Sequence, residues 1–143
     1  MVSIDKKTLL AVVTFFITSF IIDSILHLGV TNGIAEKELA GALKPTSEIN
    51  FLPLIVEYLI VAAGIIYFMR ETNAYSKPVF YSALIGAIIG FMIYGIYGFI
   101  NVSLLVKWSW IMVVVNTLIG VIVLSASAAL VRVIFSPSQR KKP

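Results

Sequence analysis

Four long runs of apolar residues dominate the chain, at about residues 8–30, 51–69, 79–101 and 110–134. An α-helix rises ~1.5 Å per residue, so roughly 20 residues cross the ~30 Å hydrocarbon core of a bilayer. Lipid offers no partner to open backbone groups, and four strands are too few to close a barrel. The sequence therefore predicts an all-α integral membrane protein, a single domain over residues 1–143 in which four transmembrane helices form an up-down bundle.

Composition agrees with a lipid environment and excludes several other classes of protein. The 143 residues are 59% hydrophobic and 13% charged, whereas a soluble domain carries about 25% charged residues. The net charge of +4 comes from residues at the ends of the apolar runs, which argues against nucleic acid as a partner. The chain has no cysteine, so it has no disulfide, thiol chemistry or cysteine metal site.

The connections between the runs predict how the helices follow one another. The longest connection, Thr31–Asn50, contains an amphipathic stretch, Gly33–Leu43, that predicts a short helix on the membrane surface, ended by Pro45. The connections Arg70–Pro78 and Val102–Ser109 are short, which makes successive spans antiparallel neighbours.

Basic residues are unevenly shared between the two ends of the predicted bundle. Eight Lys and Arg residues lie at the end with both termini, and three lie at the other end. Because cytoplasmic loops of membrane proteins carry the excess of Lys and Arg, we expect both termini in the cytoplasm, with the cell membrane as the default location. We expect the tail Arg140–Lys142 to rest on anionic lipid headgroups, with docking to a partner as the alternative.

Small residues mark helix-packing surfaces. Gly86 and Gly90 form a GxxxG pattern on the third run, and Gly120 shares a face of the fourth run with Asn116. Small residues let helix backbones approach closely in lipid. Packing within the bundle is one interpretation, and an interface in a homo-oligomer is the other.

Three ionisable residues, Asp23, His27 and Glu57, lie inside the apolar runs, where an acid costs on the order of 2.5–3.5 kcal/mol. Asp23 and Glu57 share a depth in the outer half of the membrane, and His27 lies farther out as a gate. We expect a polar pocket there, in which two adjacent carboxyls hold a proton or a cation. Other candidate pocket residues, on the third and fourth runs, are Tyr94, Tyr97, Asn101 and Asn116.

The same residues admit a purely structural interpretation. A buried Asp can accept hydrogen bonds that fix helix register, and Asp23–His27 can be a local ion pair. The spacing of His27, Asp23 and Glu57 does not match a known metal-binding motif, so we expect no metal. The sequence also has no catalytic triad and no phosphate-binding loop. We therefore expect no cofactor and no catalytic residue. The leading hypothesis is a protein that binds or conducts a small molecule, cation or protons. The alternatives are a non-catalytic subunit that docks a partner membrane protein through its glycine-rich helix and basic tail, and a lipid-modifying enzyme.

Motifs on all four runs support a family resemblance. These are Asp23 on the first run; Tyr58, Gly64, Tyr67 and Phe68 on the second; Tyr94, Tyr97 and Asn101 followed by Trp108 at the end of the third; and Val115, Asn116 and Gly120 on the fourth. In this pattern the chain resembles the domain-of-unknown-function 2177 family of small predicted membrane proteins. The chain has Gly98 and Asn116 where the family has Asp, and Glu57 where it has an aromatic residue. The resemblance implies a membrane topology and a polar core, not a reaction.

Overall fold

The structure is a computed structural model that describes residues 5–39 and 48–136, in which all regular structure is helical. Helix α1, Lys6–Leu26, continues into a π-helical turn, His27–Thr31, and the short helix α2, Asn32–Glu38. Three long helices follow, with a 3-10 turn, Ala74–Ser76, between the first two: α3 is Phe51–Glu71, α4 is Val79–Leu104 and α5 is Trp110–Phe135.

Four helices in the described residues are long and apolar enough to cross a membrane, which confirms the predicted membrane fold. The first candidate span runs from Lys6 to Thr31, and α4 continues to Leu104, beyond the predicted end at residue 101. The helix expected at Gly33–Leu43 is α2, which ends at Glu38 because Leu39 leaves the helical conformation. The rest of that stretch, with Pro45, lies in residues 40–47, outside the described residues.

Polar side chains immediately before three of the long helices fix where these helices begin. Asp5 accepts a hydrogen bond from the Thr8 amide at 2.7 Å, and Asn50 accepts one from the Leu52 amide at 3.1 Å. Ser109 caps α5 in the same way. Each cap satisfies a backbone N–H that has no partner inside its helix.

Successive long helices run in opposite directions, so the start of α1, the end of α3, the start of α4 and the end of α5 lie at one end of the bundle. We call the end with the start of α1, the α3–α4 turn and the end of α5 the terminal face, and the other end the loop face. Two contacts tie the terminal face together. Arg70 Nη1 donates to Thr8 Oγ1 at 2.7 Å, and Arg132 donates to the Lys77 carbonyl through Nε at 3.0 Å and Nη2 at 2.7 Å.

The helices form a ring that is least closed between α3 and α4. Helix α1 packs against α3 and α5, α4 packs most extensively against α5, and α3 touches α4 only slightly. The close approach of α4 and α5 depends on glycine: a Cβ at Gly86 would lie within 3.0 Å of the Leu124 backbone, and one at Gly90 within 3.0 Å of the Gly120 backbone.

The largest fully buried apolar side chains lie in the middle and the terminal half of the bundle. They come from α1, α3 and α5, and include Phe15, Ile65, Met69, Val123 and Val131. The outward faces of the long helices carry many exposed Leu, Ile, Val and Phe side chains, as expected for surfaces that contact lipid. The loop half also has buried apolar side chains, Met112, Val113 and Ile119, and they lie on the same helix as the buried Asn116.

Candidate functional site

The centre of the candidate site is Asp23 on α1. Phe16, Phe20, Asp23 and His27 are spaced by three or four residues, so they form one stripe along the helix. This stripe meets α3 at Tyr58, whose hydroxyl donates a hydrogen bond to Asp23 Oδ2. The Asp23 side chain is 14% exposed, so the carboxyl group lies largely inside the bundle.

Aromatic packing directs the Tyr58 hydroxyl toward the acid. The Tyr58 ring meets Phe20 edge-on, with ring centroids 5.7 Å apart, and meets Phe16 in the same way at 6.5 Å. Tyr58 also begins the buried face of α3, which continues through Ala62, Ile65 and Met69. The ring is therefore held on several sides, and its hydroxyl has a fixed direction.

His27 lies one turn beyond Asp23, where α1 becomes π-helical. Its Nδ1 is 3.1 Å from Asp23 Oδ2 and 3.1 Å from the Asp23 backbone carbonyl oxygen. Because a carbonyl oxygen can only accept a hydrogen bond, Nδ1 carries a proton in this geometry. The side chain is 40% exposed, so the imidazole connects the buried carboxyl to the loop face.

The second Asp23 oxygen, Oδ1, is buried and has no hydrogen-bond partner among the described residues. A buried acceptor without a partner costs about 1–3 kcal/mol, and more when it carries charge. A bound water, cation or other hydrogen-bond donor would supply the missing partner. The Asp23 carboxyl group therefore has one oxygen whose hydrogen bonding the described residues leave unsatisfied.

Tyr94 on α4 brings a third helix to the cluster. Its phenol group neighbours that of Tyr58 and interacts electrostatically with the carboxyl groups of Asp23 and Glu57. Its ring lies against Gly120 of α5, where a Cβ would come within 3.0 Å of the ring. Tyr94 thus links the contact between α4 and α5 to the Asp23 cluster.

Glu57 is at the same level but on a different face of α3. Its side chain is exposed, whereas that of the next residue, Tyr58, is buried. The Glu57 carboxyl interacts electrostatically with Asp23. Within residues 5–39 and 48–136, no three His or acidic side chains lie close enough together to hold a metal ion. The two acids are neighbours through space, and they do not form a closed pair.

The three remaining candidates do not join the Asp23 cluster through hydrogen bonds between the described side chains. Asn116 is buried on α5. Tyr97 is 54% exposed and meets Trp108 edge-on, with ring centroids 5.7 Å apart. Asn101 lies one turn farther along α4, and its buried Nδ2 has no partner among the described residues.

Tyr58 was not among the pocket residues predicted from the sequence, although it contacts Asp23. The periodic apolar series Tyr58, Ala62, Ile65 and Met69 was the signal available in the sequence, because spacings of four and three mark one face of a helix. The family motif also contains Tyr58. The charge of Glu57 suggested that this residue faces the bundle, but its side chain lies about 100° around the helix from that of Tyr58.

The four long apolar helices and the intramembrane acid define a polytopic helical membrane protein. The chain belongs to the DUF2177 family, described as predicted membrane protein, whose family model matches residues 8–133. That match spans all four candidate membrane helices. No curated protein and no solved structure matches the chain.

Proposed function

We propose that this protein binds protons within the membrane and moves them, alone or with a small solute, through a site centred on Asp23. The observation that carries the proposal is the Asp23 carboxyl group itself. It is held by Tyr58 and His27 on one oxygen and has no partner on the other. An ionisable side chain kept inside a span despite its cost is typical of a proton or ion pathway.

His27 provides the connection to the loop face. Its Nδ1 proton passes to Asp23 Oδ2 while Nε2 takes up a proton from the aqueous side, so the imidazole keeps one proton throughout. Tyr58 and Tyr94 then extend the chain of hydroxyl groups toward the gap between α3 and α4. Opening of this gap would expose Asp23 to a solute.

The orientation in the membrane is part of the proposal. The excess of Lys and Arg at the terminal face supports a cytoplasmic location for both termini in a cell membrane. The Asp23 cluster then belongs to the outer half of the bilayer. Because the chain has no cysteine, a single cysteine can be added near either terminus and treated with a membrane-impermeant thiol reagent in intact cells. A cytoplasmic terminus should remain unlabelled.

Proton flux into proteoliposomes with an internal pH-sensitive dye and an imposed potassium diffusion potential tests the function. We expect Asp23→Asn to reduce flux at least tenfold, because the amide accepts the Tyr58 hydrogen bond but holds no proton. Glu71→Gln, which removes an exposed carboxyl at the end of α3, is the matched control and should transport like wild type. Folded Asp23→Asn protein with wild-type flux would overturn the proposal.

A second candidate function is a non-catalytic membrane subunit, and the exposed Glu57 favours it. A carboxyl on the outer surface of a span is costly in lipid, so a second copy or a partner protein would supply its missing contacts. The glycine face of α4 is occupied by α5 within the chain, so the contact would use α3 instead. Glu57→Gln would then weaken co-purification of differently tagged copies or of a partner, with proton flux unchanged.

A further inference from the structure

A cavity of about 150 Å³ opens at the terminal face, at the end of the bundle opposite the Asp23 cluster. It lies between the start of α1, the end of α3 and the end of α5. Lys7 and Arg70 stand at its polar side, and Ala11, Tyr75 and Phe135 form its apolar wall. The cavity therefore joins a cationic rim to an apolar surface at the depth where spans leave the bilayer.

A chain of hydrogen bonds holds the arginine at this rim. The Thr8 hydroxyl donates to Asp5 Oδ1 at 2.7 Å and accepts from Arg70 Nη1 at 2.7 Å. This is the one hydrogen bond that the Arg70 guanidinium makes with the described residues, and a guanidinium has five N–H donors. Donors therefore remain for a ligand, and planar paired donors match the oxygen atoms of a phosphate.

The charge at the rim selects for an anion. Lys7 and Arg70 contribute two positive charges, and Asp5 interacts with both and contributes one negative charge. A net positive site suits one phosphodiester group. The buried Ala11 and the Phe135 ring on the apolar side suit the first carbons of an acyl chain.

We propose that this cavity binds an anionic phospholipid, with the phosphate at Arg70 and Lys7 and the glycerol and upper acyl chain against Ala11, Tyr75 and Phe135. The bound lipid joins α1, α3 and α5 at the terminal face. Basic pockets between spans are a recurrent way to hold acidic lipid headgroups. The proposal does not depend on proton transport, because the Asp23 cluster lies at the other end of the bundle.

Native mass spectrometry of protein purified in neutral detergent and titrated with phosphatidylglycerol tests the site. We expect retention of one phosphatidylglycerol molecule and at least tenfold weaker retention of phosphatidylcholine. Arg70→Gln and Lys7→Gln should each weaken phosphatidylglycerol binding about tenfold, with Arg70→Lys intermediate. Lys107→Gln, which removes a basic residue at the loop face, is the matched control and should bind like wild type.

Three results would overturn the proposal. The first is equal retention of the two lipids. The second is displacement of phosphatidylglycerol by millimolar inorganic phosphate, which would assign the cationic rim to a free phosphate. The third is binding only by a chain ending at Ser136, which would assign the cavity to the chain's own C-terminal residues. Because Lys7 is exposed near the chain end, Lys7→Gln keeps the test valid if Arg70→Gln does not fold.

Discussion

The ring of Tyr94 lies directly on Gly120, so the close packing of α4 on α5 also positions a hydroxyl group near Asp23. Any side chain at residue 120 would displace the ring. Helix packing and the polar cluster are therefore coupled through one glycine. Packing in the glycine interface and hydrogen bonding at Asp23 can be tested separately.

Gly86→Ala and Gly90→Ala should each destabilise the protein. The new methyl groups meet the backbone of α5, which cannot move aside without separating the helices, and overpacking costs about 1–3 kcal/mol. Gly64→Ala is the control, since no atom lies within 4 Å of its added Cβ and the helix gains about 0.5–1 kcal/mol. Thermal unfolding in detergent measures all three. Equal melting temperatures for Gly86→Ala and Gly64→Ala would contradict the described packing.

Tyr58→Phe should lower stability by about 1–3 kcal/mol, because Asp23 loses a hydrogen bond inside the bundle. The ring and its contacts with Phe16 and Phe20 remain. Tyr67→Phe removes a hydroxyl from a Tyr that is 51% exposed on the same helix, and we expect a change within about 0.5 kcal/mol. Unfolding by dodecyl sulfate in mixed micelles measures the difference. If Tyr58→Phe and Tyr67→Phe unfold at the same dodecyl sulfate concentration, Tyr58 does not stabilise Asp23 through a hydrogen bond.

The cap at Asp5 predicts a pH dependence of stability. Hydrogen bonds from the Thr8 side chain and amide hold the pKa of the Asp5 carboxyl below its ordinary value. Such a group stabilises the folded protein above the pKa of the unfolded chain, and the stabilisation is lost as pH falls through the folded-state pKa. The difference in melting temperature between wild type and Asp5→Ser, which keeps a neutral cap, should therefore shrink from about pH 5 to about pH 3. A difference that stays constant over this range would contradict the role of the charge.

Arg132→Ala should loosen the α3–α4 turn. Its guanidinium donates twice to the Lys77 carbonyl, and loss of these bonds should cost about 1–3 kcal/mol. Lys77→Gln keeps that carbonyl and removes the ammonium 3.9 Å from the Tyr81 ring centroid, which should cost at most about 1 kcal/mol. Limited proteolysis at the turn and thermal unfolding distinguish the two variants. Faster cleavage of Lys77→Gln than of Arg132→Ala would contradict a stabilising role for the hydrogen bonds from Arg132 to the Lys77 carbonyl.

Hydropathy predicted the four spans closely, because span length depends on bilayer thickness and apolar content. The rotation of each span was harder to predict. In lipid both the inward and outward faces of a helix are apolar, so hydrophobicity does not separate them as it does in water. On α3 the charged residue suggested the inward direction, whereas Phe16 and Phe20 select Tyr58 as the inward side chain. The rotation of α4 was easier to predict from Gly86 and Gly90, because only small residues permit the contact with α5.

Helix α3 is packed unequally along its length, because its buried side chains lie between Tyr58 and Met69. At the terminal face, hydrogen bonds from Arg70 and Arg132 add to this packing and hold the helices together. Before Tyr58, toward the loop face, the first seven residues of α3 all have exposed side chains. We therefore expect the first part of α3 to tilt more readily than its end, which would separate Tyr58 from Asp23.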